Sequence, residues 1–392
     1  MTRKLLFAHD DRIRLDSSGC PLSYNYSRNL IDRYRYLADS ITFAVRCSEK
    51  EVVQWYDDAR IVCIPEMKKG LAFTKMRVAN KIVHDLVCEH DIVVARLPSL
   101  IGSWALRSAW KTKTPVLVEF VGCPWDALWN HSIKGKLVAP YFWFKNRKLM
   151  RHVTHTIYVT EKFLQERYPT YGDSISCSNV EIKICKDALK RKDDRLRQMF
   201  DAPPVILGTI ANLDVRYKGQ DLVMHAIASL GADSRNFVYR LIGPGDRTRL
   251  QSLARRLGIQ DQVEFTGGID HDKIPEALDS IDVYIQASRQ EGLPRAMIEA
   301  MARGCVVVGA RTGGIPELLP KEWVVPSGDS SSISTLLADL KNRDLRKAAE
   351  QNYTVASNFD LTFMNKKRFL FYRKFLHENG MLDDHEFNEI AS

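Results

Sequence analysis

No run of this chain reaches about 18 uninterrupted apolar residues, so no membrane-spanning helix is expected. Its eight cysteines contain no C-x-x-C spacing, and Cys63, Cys88 and Cys305 sit in apolar surroundings. Neither a disulfide framework nor a zinc site is expected, and a reducing cytoplasm fits best. The first apolar stretch is short and turns acidic at Asp10 and Asp11, which is wrong for a signal peptide; it reads as a buried strand. Internal repeats and low-complexity segments are also missing from the 392 residues, which are enough for two domains with separate cores. No nucleic-acid-binding module is recognisable, so the formal charge of +9 points instead to an anionic surface, an anionic small substrate, or nothing specific.

What is present is an alternation of short β-branched runs with longer helical patterns, which argues for parallel α/β layers. Strands are expected near 4–9, 40–46, 61–64, 91–95, 116–120 and 156–160, with helices near 23–38, 71–88, 101–110, 133–150 and 161–168. A charged segment ending in Pro203-Pro204 separates these from strands near 205–210, 237–242, 263–266, 283–286, 306–309 and 323–325. The pattern divides the chain into residues 1–180, 181–360 and a terminal 361–392. The last part opens with a helix that offers Phe363, Phe369, Leu370, Tyr372 and Phe375 for burial. Two doubly wound domains facing across a cleft bind their ligands at the carboxyl ends of strands.

Residues 288–301, SRQEGLPRAMIEAM, are the most informative stretch. Glu291 falls in the loop after a strand, whereas Glu299 falls inside the helix that follows. Gly292 accepts unusual backbone angles, and Pro294 suits the first helical position, where its missing N–H costs nothing. The free N–H groups of residues 292, 293, 295 and 296 then face the crevice and favour an anion, as a nucleotide-sugar site requires. The plainer reading makes Arg295 and Glu299 a surface pair four residues apart. Three further turns argue for the site, because all end strands at the same edge. Asn212 to Asp221 carries Arg216 and Lys218, which can hold a diphosphate, by a fork and as a point charge respectively. Gly243-Pro244-Gly245 and Gly267-Gly268, the second and third of these, let backbone approach a ligand; apart from the three, a second Gly-rich turn, Thr312-Gly313-Gly314-Ile315-Pro316-Glu317, follows the strand after the Glu299 helix.

This assembly, over 207–319, resembles the donor-binding half of the retaining glycosyltransferases of family 4, which have the GT-B fold; within the family it looks like enzymes of bacterial extracellular or capsular polysaccharide synthesis. The resemblance implies two Rossmann-like domains facing across a cleft, with the C-terminal helix packing back on the first. It implies Glu299 on the ribose hydroxyls and Glu291 on the donor sugar or its anomeric carbon. The Gly292 and Leu293 amides, beside Pro294, then lie near sugar and phosphate, Lys218 and Arg216 on the diphosphate, and Gly243, Gly267 and Gly268 around the nucleotide. Asn212 departs from the pattern, since many relatives carry arginine there. No metal or cofactor is implied; the co-substrate is a UDP- or GDP-sugar, UDP favoured, and the acceptor a glycan or lipid-linked oligosaccharide, as in capsular polysaccharide or O-antigen synthesis.

The acceptor half is less legible. His9 and Asp10 follow the first strand, Arg96 another, Asp126 the Glu119 strand, and Glu161 the last; each can face the cleft, and each can equally be structural. From 134 to 151 there are six basic residues and no acid, around Tyr141-Phe142-Trp143-Phe144. That composition suits peripheral contact with an anionic membrane, on the inner face of the plasma membrane for a cytoplasmic protein, or else aromatic core beside a solvated face. Two rivals stand beside the transferase: a nucleotide-sugar epimerase and a non-catalytic subunit that binds a partner or glycan.

Overall fold

The computed structural model describes residues 2–13, 28–47, 53–56, 59–65, 72–180, 182–201 and 203–388. The first sheet contains β1 (Lys4–Ile13), β2 (Ser40–Cys47), β3 (Val53–Tyr56), β4 (Ala59–Cys63), β5 (Ile92–Leu97), β6 (Val116–Phe120), β7 (His155–Tyr158) and β8 (Asp173–Ser176). Their order is β3-β4-β2-β1-β5-β6-β7-β8, parallel except for the antiparallel β3–β4 edge pair. Helices α1 (Arg28–Tyr34), α2 (Ala72–Cys88), α3 (Leu100–Thr112), α4 (Pro124–Trp129), α5 (Ile133–Met150) and α6 (Phe163–Arg167) connect them.

The second sheet is wholly parallel: β9 (Val205–Ile210), β10 (Phe237–Ile242), β11 (Val263–Gly267), β12 (Val283–Gln286), β13 (Val306–Ala310) and β14 (Val324–Val325), in the order β11-β10-β9-β12-β13-β14. Its helices are α7 (Ala188–Gln198), α8 (Gln220–Ala228), α9 (Thr248–Leu257), α10 (Ile274–Asp279), α11 (Arg295–Ala302), α12 (Ile315–Leu318), α13 (Ser330–Ala338) and α14 (Leu345–Ser357). The chain ends in α15 (Leu361–Glu378) and α16 (Asp384–Asn388).

Period-two alternation along β1 sorts its side chains into two layers. Leu6 and Ala8 pack with Val83 and Ala105 of α2 and α3. Leu5 and Phe7 pack with Tyr34 of α1 and, from the far end of the chain, with Phe371, Tyr372 and Phe375 of α15. The last helix therefore closes the first domain's core, as the GT-B resemblance implied, while Val180, Ile182 and Leu196 belong to the second core.

Several details differ from the sequence reading. The edge strands β3 and β8 and the short α4 were not foreseen, because short or polar edge elements leave little periodic signal. Of the last helix's proposed buried residues, Phe363 and Leu370 are exposed, and the buried stripe runs instead through Met364, Arg368, Phe371, Tyr372 and Phe375. The helix expected over 23–38 is described only as Arg28–Tyr34; residues 23–27 lie outside the described residues. Cys47 and Cys63, expected as thiols, form a disulfide with Cα atoms 5.3 Å apart. They end neighbouring strands β2 and β4, a proximity that no spacing motif announces. Among the described residues no helix is long and apolar enough to cross a membrane.

Candidate functional site

The strand order of the second sheet reverses between β9 and β12, and the loops leaving these two strands build a crevice. After β9 the chain turns through Arg216, Tyr217 and Lys218 into Gly219, at φ 74°. A Cβ at Gly219 would sit 2.0 Å from the Ala287 carbonyl oxygen, so only glycine lets the two loops meet this closely. The Arg289 N–H donates to the Tyr217 carbonyl (2.7 Å), and the Arg289 guanidinium holds Asp221 through bonds of 3.0 and 2.9 Å. This stitching brings the Lys218 ammonium to 2.7 Å from Glu291 Oε1. The Glu291 side chain is only 8% exposed and that of Lys218 23%, so the pair is largely shielded from water. Gln286, the last residue of β12, donates to the same Glu291 oxygen at 2.9 Å and accepts from the Tyr284 hydroxyl at 3.0 Å. Burial, with the nearby Glu299 and Glu291 charges adding to it, raises the Tyr284 phenol well above its ordinary range and keeps it a donor.

Lys218, Glu291 and Glu299 line one cavity of about 720 Å³, together with Ile210, Gln286 and His271. Leu293 and Pro294 also face it, with Pro294 at the cap of α11 rather than in its first turn as the sequence suggested. Glu299 lies one turn into α11, its Oε1 3.6 Å from His271 Nε2. The other donor-side candidates, Asn212, Arg216, Gly243, Gly267, Gly268 and Gly292, do not line this cavity. Asn212 Oδ1 accepts the Asp214 N–H at 2.7 Å, and the Asn212 carbonyl accepts from Gln220 at 3.1 Å, so this side chain is engaged in its own turn. Gly243 donates to the Gly267 carbonyl (2.8 Å), and Gly268 packs on Pro244. The Arg216 carbonyl accepts from Arg289 at 2.9 Å, and Arg216 is not among the lining residues. Sequence reasoning missed Gln286 and His271. The only cue to Gln286 was a polar residue closing an apolar strand, and to His271 its place just beyond Gly267-Gly268.

None of the five acceptor-side candidates lines this cavity. Asp10 accepts the Leu100 and Ile101 N–H groups (2.6 and 3.0 Å), satisfying the first amides of α3, and stands 3.3 Å from Arg46. Arg96 binds Glu119 twice, at 2.9 and 2.7 Å, and lies over the Phe7 ring. Burial alone would raise the Glu119 carboxyl, but Arg96, Arg33 and the Tyr34 hydroxyl hold it below the usual range. Burial, reinforced by the Arg96 charge, lowers the His9 ring to about 4 against the opposing pull of Asp11, Asp10 and Glu119. His9 is therefore neutral at pH 7, and its buried Nδ1 has no hydrogen-bond partner among the described residues. Asp126 pairs with Arg167 at 3.0 Å, while Glu161 is exposed, 4.0 Å from Lys367.

The two domains touch at the Glu291 loop. A Cβ at Gly292 would lie 2.4 Å from the Val121 carbonyl oxygen of the first domain. Asn130 Nδ2 donates to the Arg289 carbonyl (2.8 Å) across the same boundary. Residues after β6 thus border the loop that carries Glu291.

Residues 191–354 match the family model for glycosyl transferases group 1. CapJ of Staphylococcus aureus is 25% identical over 345 residues, which cover 85% of this chain and 85% of CapJ. The amylovoran biosynthesis glycosyltransferase AmsK of Erwinia amylovora is 31% identical over 156 residues, 37% of this chain and 38% of AmsK. Among solved structures, Anabaena HepE in complex with UDP and glucose superposes with a TM-score of 0.64 at 17% identity, over 93% of this chain and 98% of HepE.

Proposed function

We propose, from the premise that this chain belongs to the group 1 glycosyl transferases and has the GT-B fold, that it transfers a sugar from a nucleoside diphosphate to a glycan or lipid-linked oligosaccharide. The observation that carries this reading is the shielded Lys218–Glu291 pair at the strand-order reversal, in one cavity with Glu299. Glu299 takes the ribose hydroxyls, Lys218 with the first amides of α11 takes the diphosphate, and Glu291 faces the donor sugar. UDP is the favoured nucleotide and GDP the second; the likeness to HepE, solved with UDP and glucose, supports the first. The similarity to AmsK, named for amylovoran biosynthesis, supports a role in polysaccharide assembly.

The chemistry follows from where charge develops. Breaking the anomeric C–O bond loads the leaving diphosphate with negative charge and leaves the sugar cation-like. A fixed ammonium and fixed amides beside that phosphate lower the barrier by about 3–4 kcal/mol per well-aimed donor in a dry site. These groups supply the positive charge from the chain itself, so the mechanism requires no divalent cation. The acceptor hydroxyl attacks the same face that the phosphate leaves, the phosphate takes its proton, and configuration is retained. The first domain, covering residues 1–180, brings the acceptor to the donor held by residues 181–360, and closure limits hydrolysis.

Thermal shift against UDP-, GDP-, ADP- and dTDP-sugars, with Glu299→Ala as comparator, tests the reading. A shift with one nucleotide that vanishes in the variant supports it. A folded protein that answers to none of the four favours a non-catalytic, partner-binding subunit.

A second observation favours attachment to a membrane surface. On α5, Ile133, Leu137, Tyr141 and Phe144 are 81%, 78%, 62% and 62% exposed, and their spacing puts them on one face. Exposed Lys134, Lys136 and Lys148 flank them, while Ala139, Leu149 and Met150 are buried. Apolar side chains entering the interface beside lysines that meet anionic headgroups suit a lipid-linked acceptor. Leu137→Glu with Tyr141→Glu should abolish sedimentation with phosphatidylglycerol-containing vesicles, while phosphatidylcholine alone should pellet neither protein; equal pelleting of variant and wild type refutes the attachment.

A further inference from the structure

We propose that Glu317 is a positioning residue whose carboxylate latches the second domain to the first and sets how closely the first domain covers the donor crevice; this rests on the donor-site reading above. The contact is a set of three hydrogen bonds across the domain boundary. Glu317, on α12, accepts the N–H groups of Glu161 (2.7 Å), Lys162 (3.1 Å) and Phe163 (2.5 Å). Those amides open the short helix α6, whose cap residue Lys162 provides no side-chain bond of its own. The amides at such a helix start have no partner within the helix. A carboxylate meets them with charge-assisted bonds, roughly twice as strong as neutral ones.

The same turn reaches the donor loop. Gly314 N–H donates to the Gly292 carbonyl at 2.7 Å. A Cβ at Gly313, which stands at φ 58°, would lie 2.4 Å from the Glu291 carbonyl oxygen. Gly314 is also confined between Leu293 and Thr160, with a Cβ there 2.8 and 2.9 Å from their side chains. The backbone of 291–293 is thus held between the 313–314 turn on one side and Val121 on the other, and Glu317 fixes that turn to the first domain. Any rotation that lifts the first domain must break the three amide bonds or carry the Glu291 loop with it.

The latch is also placed to open. A cavity of about 340 Å³, lined by Glu161, Leu293, Glu317 and Lys367, adjoins it. Leu293 faces this cavity and the donor cavity alike. Water can enter there and hydrate the three amides when the carboxylate withdraws, so release does not strand buried donors.

The test reads the latch and the site separately, in the full chain. Amide exchange of the segment 160–167 is measured in wild type, Glu317→Gln and Glu317→Asp, with and without UDP. In wild type, exchange there is slow and slows further by at least threefold with UDP. In Glu317→Gln it is at least tenfold faster in both conditions, while the thermal shift given by UDP persists. Turnover, read as UDP released from the nucleotide sugar with the largest thermal shift, falls at least tenfold in Glu317→Gln with the donor KM within twofold. Glu317→Asp, which keeps the charge one methylene short, recovers part of both. Unchanged exchange at 160–167 in Glu317→Gln overturns the latch. Faster exchange throughout the second domain, or an opened segment with unchanged turnover, shows a structural contact only and overturns the positioning role. A wild type that ignores UDP overturns the uridine assignment, one that also ignores GDP overturns the donor reading, and the exchange arm still decides the latch.

Discussion

Replacing Lys218 with alanine removes an ammonium 2.7 Å from a carboxylate whose side chain is 8% exposed. Breaking a fully buried ion pair from one side costs about 3–5 kcal/mol, because the remaining charge is stranded. Two features reduce that figure here. Lys218 is itself 23% exposed, and Gln286 goes on donating to the same Glu291 oxygen at 2.9 Å. We therefore expect a loss of about 2–3 kcal/mol. At about 2–4 °C per kcal/mol for a domain of this size, the melting temperature should fall by about 4–12 °C. Nucleotide binding should fall for a separate reason: a charge-assisted contact to the diphosphate is worth about 1.5–3 kcal/mol, or roughly ten- to 150-fold in Kd. The double variant Lys218→Ala with Glu291→Gln separates the two losses. Neutralising the stranded carboxylate should return most of the stability and none of the nucleotide affinity. Differential scanning calorimetry and a UDP titration on the three proteins measure both quantities. A single variant that melts within about 1 °C of wild type, or a double variant no more stable than the single, refutes the argument that the pair is shielded and coupled.

Gly292→Ala puts a methyl 2.4 Å from the Val121 carbonyl oxygen, a backbone atom that cannot move aside. The domains should part, with turnover down at least tenfold while UDP still shifts the melt; unaffected turnover would show that the contact yields easily. His9 titrates near 4 in the folded chain against 6.5 ordinarily, so between these values the unfolded chain holds the extra proton. Stability should then fall as pH drops from 6.5 towards 4, by up to about 1.4 kcal/mol per pH unit, and His9→Asn should flatten that slope in urea melts at pH 7 and pH 5. Asp10→Ala removes the acceptor for two α3 amides and should cost about 1 kcal/mol while leaving the UDP shift intact; loss of that shift would give Asp10 a part in donor binding.

The central strands were readable because parallel strands covered on both faces are continuous apolar runs, as in Val306-Val307-Val308. The outer strand β8 was not, because Asp173-Ser174-Ile175-Ser176 carries one apolar residue and is held by pairing to β7. Lys218 and Glu291 were within reach for a related reason: each sits just beyond a readable strand, and the order of such strands forces their loops together at the sheet's carboxyl edge. On the acceptor side the same logic found the edge but not the role. Asp10 and Arg96 lie within the last residues of β1 and β5 rather than after them, and the first amides of α3 take the Asp10 carboxylate while Glu119 takes the guanidinium. Whether packing has already engaged a polar group depends on a partner 23 or 90 residues away, and periodicity carries no information about that. Glu317 is the extreme case. Its partners lie 154 to 156 residues earlier and are backbone N–H groups, which every residue except proline possesses. A contact made to an atom common to nearly all residues leaves no mark in the sequence at its receiving end. It becomes visible only when the fold has aimed the start of α6 at the turn that steadies the donor loop.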